Sequence, residues 1–191
     1  MQDLVLKNRS YRRFGQGREV PAETLRELVD LARLTPSGAN LQPLRYLIAN
    51  SAERNDKIFP CLAWAGYLKE WGGPKEGERP SAYILILCDT TISADGGCDH
   101  GIAAQTILLG AAEKGLGGCM IGSVDRGSLA QILQIPAQYK ILLVLALGWP
   151  TEKVVLEDVA AGQSIRYYRD GNQVHHVPKR RLDDIIVDFG S

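Results

Sequence analysis

The sequence predicts one domain, residues 1–191, in which helices alternate with the strands of a single sheet. Three observations lead there. Short apolar runs recur along the chain, each bounded by glycine, proline or charge, as buried strands are. Segments around them carry apolar residues at helical spacing. The chain's 191 residues are 45% apolar and 23% charged, which suits one soluble core and neither a fibre nor a disordered tail.

Taken in order, the first feature is "NRSYRRFG" from Asn8, which sets Arg9, Arg12 and Arg13 within five residues. Pro21 then suits a first helical position, and Leu25, Leu28, Val29, Ala32 and Leu34 repeat at helical spacing up to Thr35, where Pro36 stops the helix. "TPSGANLQP" (35–43) is a loop whose Ser, Gly, Asn and Gln offer donors and acceptors on backbone held open by two prolines. Strands are expected at 45–49, 82–88, 118–122 and 140–148. Between the second and third, a helix over roughly 98–115 places Ile102, Ala103, Thr106, Leu109, Gly110 and Ala112 on one side, where small residues allow close packing. "WGGPKEGERP" (71–80) reads as a long surface loop, and Asp170-Gly171 within 166–177 as a hairpin turn. About forty residues follow the last core strand, and their apolar "IIV" (185–187) predicts packing on a separate domain or a second subunit.

Charge and motifs exclude several function classes. Lys+Arg and Asp+Glu are both 22, so no overall field draws a polyanion, and neither nucleic acid nor an acidic membrane surface is the expected partner. The arginine cluster therefore points to a small anion, against the bland reading of a solvated turn. The start, "MQDLVLKNRS", lacks the apolar run of a signal peptide, and no segment has the length of a membrane span; a cytoplasmic location is expected. Cys61, Cys88, Cys98 and Cys119 form no CxxC pair, and Cys88 and Cys119 read as small core residues. "CDH" (98–100) has no matching ligand group elsewhere, and His175 and His176, adjacent in a strand, point to opposite faces, so no metal site is expected. GxSxG, HExxH and GxxxxGK[ST] are all absent. "GLGGCMIG" fails the dinucleotide pattern because Met120 stands where its third glycine belongs, and the segment enters a strand after a helix. Its glycines have two readings: a helix C-cap at Gly115 with tight packing at Gly117 and Gly118, or a ligand contact. Gly122 closes an apolar strand before Ser123, where a backbone N–H can face a ligand.

In this order, "RSYRRF", "PSGANLQP", "GLGGCMIGSV" and "LALGWP" (145–150 region) resemble the nitroreductase family of FMN-dependent oxidoreductases, from about Asn8 to "VPKRRLDDII" near the end. The resemblance implies an α+β fold with a mixed sheet flanked by helices and an extended C-terminal tail. It also implies a homodimer with shared FMN sites and NAD(P)H as co-substrate. Residue by residue, it puts Arg9, Ser10 and Arg12 on the FMN phosphate and leaves Arg13 solvated. Lys179 and Arg180 match the late basic pair that reaches the same phosphate, with Arg181 as the alternative. Pro36, Ser37, Gly38 and Asn40 match the loop that approaches the isoalloxazine from the partner subunit, and Ile121, Gly122 and Ser123 the strand end that faces its reactive edge. Two positions depart from many relatives, Asn8 in place of Arg and Leu44 in place of Trp.

No catalytic triad or carboxylate pair is expected under this reading, since a flavin carries hydride and electron chemistry itself. The implied function is transfer of hydride and electrons from NAD(P)H through FMN to a nitroaromatic, quinone or similar acceptor. The alternatives are a dehalogenating or flavin-consuming branch of the family and a non-catalytic FMN-binding protein. In the loop from Trp64 to Arg79, Trp64, Tyr67 and Trp71 either stack on a planar substrate or form local core.

Overall fold

A computed structural model describes residues 1–188 and divides them into two compact units: Met1–Trp64 with Gly72–Thr151, and Ala65–Trp71 with the segment from Glu152 onward. The first unit is built on four strands, β1 (Leu44–Ala49), β2 (Ala82–Asp89), β3 (Gly117–Ile121) and β4 (Tyr139–Gly148), in the order β1-β2-β4-β3 with every neighbour antiparallel. These strands lie within a residue or two of the runs read from sequence. β2 is buried at all eight residues. Such a strand shows no polar alternation because both of its faces are covered.

Alternation within β2 still divides the core in two. Ala82, Ile84 and Ile86, with Leu145 and Leu147 of β4, pack against helices α2 (Ala22–Arg33) and α4 (Asp99–Glu113). Tyr83, Leu85 and Leu87, with Cys119 and Ile121 of β3, form the other cluster, which includes Ile58 of α3 (Ala52–Ile58) and Leu129 of α5 (Arg126–Ile132). Cys88 and Cys119 are buried, as their runs predict.

α4 is rotated from the expected face. Its buried side is Ala103, Ala104, Ile107, Leu108, Gly110 and Ala111, while Ile102 is exposed and Thr106, Leu109 and Ala112 are only half-buried. An apolar helix with little contrast between its sides has more than one plausible stripe, and contact with both α2 and β3 selected this one. α4 ends as the glycine reading expects: Gly115 has φ +77°, its N–H donates to the Ala112 carbonyl, and the Leu116 N–H donates to Ala111. That is a Schellman cap, and it feeds the chain directly into β3.

The expectation of a single sheet is overturned by the second unit, which has its own. There β7 (His175–Arg180) lies between β5 (Val154–Val159), parallel to it, and the short β6 (Tyr168–Arg169), antiparallel to it. β5 escaped the sequence reading because Glu157 and Asp158 break its apolar pattern. The Asp170-Gly171 hairpin is present: the Asp170 carboxylate accepts the N–H groups of Asn172 and Val174, and Gln173 takes φ +61°. Arg169 and Glu152 form a buried ion pair at 2.9 Å beneath the hairpin. Among the described residues no helix is long and apolar enough to cross a membrane.

Candidate functional site

α1 (Gln2–Lys7) ends at Asn8, and the arginine segment then runs beside the exposed edge of β3. Ser10 pairs with Gly118 in a parallel bridge, and the Tyr11 N–H donates to the Gly118 carbonyl at 3.0 Å. This docking depends on missing side chains. A Cβ on Gly117 would stand 2.5 Å from the Tyr11 ring and 2.8 Å from Pro150, and one on Gly118 would stand 2.8 Å from the Ala146 carbonyl oxygen. The tight-packing reading of these glycines therefore holds, and it brings the arginines to the start of β3.

The three arginines have different surroundings. Arg9 Nη2 donates to the Val5 carbonyl at 2.6 Å, and its buried Nε has no hydrogen-bond partner among the described residues. Arg12 Nη1 donates to the Ser10 carbonyl at 3.1 Å. Arg13 departs from expectation, because it is 19% exposed and paired with Glu78 at 3.6 Å. The reason lies in the 71–80 loop: Gln16 Oε1 accepts from the N–H groups of Gly77 and Arg79, and the Phe14 N–H donates to Glu78, so the loop folds onto this segment.

The loop after α2 is organised by a residue the sequence reading considered only as a metal ligand. Asp99, in the first turn of α4, is 6% exposed. Its carboxylate accepts from the Ser37 hydroxyl at 2.6 Å and from the Gly38 N–H at 3.0 Å. Ser37 Oγ in turn accepts the Gln42 N–H at 2.9 Å, closing a ring over the turn Gly38–Asn40. Ser37 is half-buried, while Pro36, Gly38 and Asn40 are exposed. Behind the loop, Asp99 and Tyr46 line a cavity of about 180 Å³. Burial first, and then the charge of Asp99, push the Tyr46 phenol above its ordinary range.

At the far end of β3, Ile121 is buried and Gly122 and Ser123 are exposed. Their carbonyls are occupied: Arg126 Nη2 donates to Gly122 at 3.2 Å, and the Ala63 N–H donates to Ser123 at 2.9 Å. What this strand end offers a ligand is therefore N–H groups and the Ser123 hydroxyl. Arg126 also donates to Ile141 and Leu142, fixing the strand end to β4. Nothing in the local spacing distinguishes Arg126, since all of these contacts are to backbone.

Gly122, one residue past β3, lies four residue steps beyond Gly118, or about 13 Å of extended chain. One rigid strand thus joins the arginine end to the N–H end. Lys179 and Arg180 lie in the second unit, both exposed at the end of β7 and opposite Asp158 and Val159 of β5. As successive strand residues they start from opposite faces of the sheet. In the aromatic segment, Trp64 packs on Phe59 with ring centres 5.9 Å apart, Arg169 lies over Trp71 at 4.1 Å, and Tyr67 meets Tyr167 at 4.9 Å. Each has a local ring or cation partner, and Tyr67 remains about half exposed.

Known proteins share this pattern. The family model described as "Nitroreductase family" matches residues 5–72 and 96–149. A candidate NADH dehydrogenase/NAD(P)H nitroreductase from Methanothermobacter thermautotrophicus is 28% identical, covering 82% of this chain and 81% of its own. An iodotyrosine deiodinase from Thermotoga neapolitana is 26% identical over 80% of this chain and 89% of its own. Among solved structures, an FMN-dependent nitroreductase from Clostridium difficile R20291 superposes with a TM-score of 0.67 at 25% identity, covering 80% of this chain and 89% of its own. The matched residues include the arginine segment, the Ser37 loop and the whole of β3, and the chain belongs to the nitroreductase family.

Proposed function

We propose that this chain is an FMN-dependent oxidoreductase that moves reducing equivalents from NAD(P)H to a nitroaromatic, quinone or similar acceptor. The observation that carries the reading is β3 itself, with arginines docked at its start and the exposed backbone of Gly122 and Ser123 at its end. Three features fit the cofactor. Among the described residues the buried Nε of Arg9 lacks an acceptor, as a donor kept for an anion would. Nothing lies within 4 Å of a Cβ built on Gly122, so the backbone there is open to close approach. The relatives' names also point to nicotinamide and flavin chemistry.

Arg9, Ser10 and Arg12 would hold the phosphate, where guanidinium forks and a hydroxyl offer charge-assisted hydrogen bonds to a group taken out of water. Gly122 and Ser123 would direct N–H groups at the ring system, and Pro36, Ser37, Gly38 and Asn40 would supply its second wall. Bound FMN would supply the electron chemistry, taking hydride from NAD(P)H and passing electrons to the acceptor. The protein's part is binding, orientation and exclusion of water.

The absorption spectrum of the purified protein tests this. Flavin bands that bleach with NADH or NADPH under argon and return on adding menadione are expected. A bound flavin that dithionite reduces and neither nicotinamide does would leave a binding protein without the activity. Colourless protein that ignores added FMN would end the proposal.

A further inference from the structure

The loop from Ser37 to Gln42 keeps an uncommon backbone. Ala39, Asn40 and Gln42 have φ of 48°, 55° and 51°, all in the left-handed region, and none is glycine. Such residues persist where their surroundings over-determine them. Here the surroundings are Asp99, whose buried carboxylate takes the Ser37 hydroxyl and the Gly38 N–H together. The helix end is a favourable place for that charge, because the first turn of α4 carries the positive end of its dipole.

We propose that Asp99 is a positioning residue of the cofactor site: by fixing the 37–42 loop it decides which loop groups meet the isoalloxazine. The inference rests on the FMN reading. It also reassigns Ser37. That hydroxyl spends its proton on Asp99 and accepts the Gln42 N–H, so it braces the loop and does not donate to a ligand. Within the loop, Asn40 N–H bonds Ser37 and Leu41 N–H bonds Gly38, and Asn40 Oδ1 accepts from Gln42 Nε2. Among the described residues, the loop donors left for a flavin include the Asn40 Nδ2 group and the backbone N–H groups of Ser37 and Ala39.

Asp99→Asn separates positioning from simple bulk. Its oxygen can still accept from Gly38, but its NH₂ cannot accept the Ser37 proton, so the charge-assisted bond that holds Ser37 is lost. Binding of FMN and of riboflavin by the folded variant, together with hydrogen exchange of the ligand-free protein, provides the test. Both flavins are expected to weaken by the same factor, about tenfold, because one neutral-to-charged hydrogen bond is removed at the ring end and the phosphate end is untouched. Exchange at the Gly38 and Gln42 amides should quicken in parallel, and Ser37→Ala should reproduce both effects, which keeps the test available if Asp99→Asn does not fold. Unchanged affinity for both flavins in the variants, or a loss confined to FMN, would overturn the positioning role while leaving the cofactor reading intact. Wild-type protein that binds neither flavin would overturn both.

Discussion

Arg12 and Arg13 are neighbours in sequence with different work to do. Arg12 donates to the Ser10 carbonyl of its own turn, whereas Arg13 pairs with Glu78 and sits beside the fully buried Phe14. Arg12→Ala should therefore weaken FMN by about 1.5–3 kcal/mol, roughly ten- to hundredfold, and should lower the preference for FMN over riboflavin. Arg13→Ala should leave FMN affinity nearly unchanged and cost about 1 kcal/mol of stability, a fall of a few degrees in Tm. Flavin titration and thermal melts of the two variants check this, and equal losses of FMN affinity would mean that the cluster acts as a diffuse positive field. A sequence shows the three arginines but not the fold of 71–80 that claims one of them.

Among the elements, β3 was the most legible, and the proposed function rests most on it. Its glycines forecast close packing, and the Schellman cap at Gly115 and the Tyr11 ring over Gly117 are what they serve. Asp99 and Arg126 were not legible as site residues, because their partners are distant in sequence and are backbone groups or a loop hydroxyl. The second sheet was hidden by the acidic residues of β5 and the shortness of β6. Gly117→Ala should push the arginine segment from the strand, costing about 1–3 kcal/mol of stability and weakening FMN with it. Gly122→Ala meets open space, so it should change stability by no more than about 0.5 kcal/mol and still weaken FMN. Melts and flavin titrations that gave the reverse order would contradict the role given to each end of β3.

The hairpin of the second unit carries a titratable clasp at His176. His176 stacks on Tyr168, with ring centres 4.7 Å apart, and lies between Glu157 on Nδ1 and Asp170 on Nε2. The hydrogen bond with Glu157, then that with Asp170, raise its pKa above the ordinary 6.5. The protonated ring donates to both carboxylates, so its stabilisation is fully present below pH 6.5 and is lost as pH rises through the higher folded value. As pH rises above 6.5, wild type should lose more protection of its hairpin amides than His176→Gln, once intrinsic exchange is corrected for. Parallel pH profiles for the two proteins would remove the clasp.

For the whole molecule, the distances along one chain argue for a site built by two. The arginine segment is fixed beside Gly118 at the start of β3, just after the C-terminus of α4, while the Ser37 loop is fixed to Asp99 in the first turn of the same helix. α4 has 15 residues, about 22 Å of helix, and that length keeps the two groups apart within a protomer. A twofold axis would let one chain bring its arginines and the other its Ser37 loop to a single FMN. The exposed Leu182, Ile185, Ile186 and Val187, each more than half accessible, are the apolar surface such an interface would cover. We therefore expect a homodimer by sedimentation at low micromolar concentration, and a shift towards monomer, with weaker FMN binding, when Ile185, Ile186 and Val187 are all replaced by serine. Mixing Arg12→Ala chains with Ser37→Ala chains should then restore one intact site per mixed dimer. A stable monomer that holds FMN as tightly as the wild type, or mixtures that bind no better than either variant alone, would place the whole site within one chain.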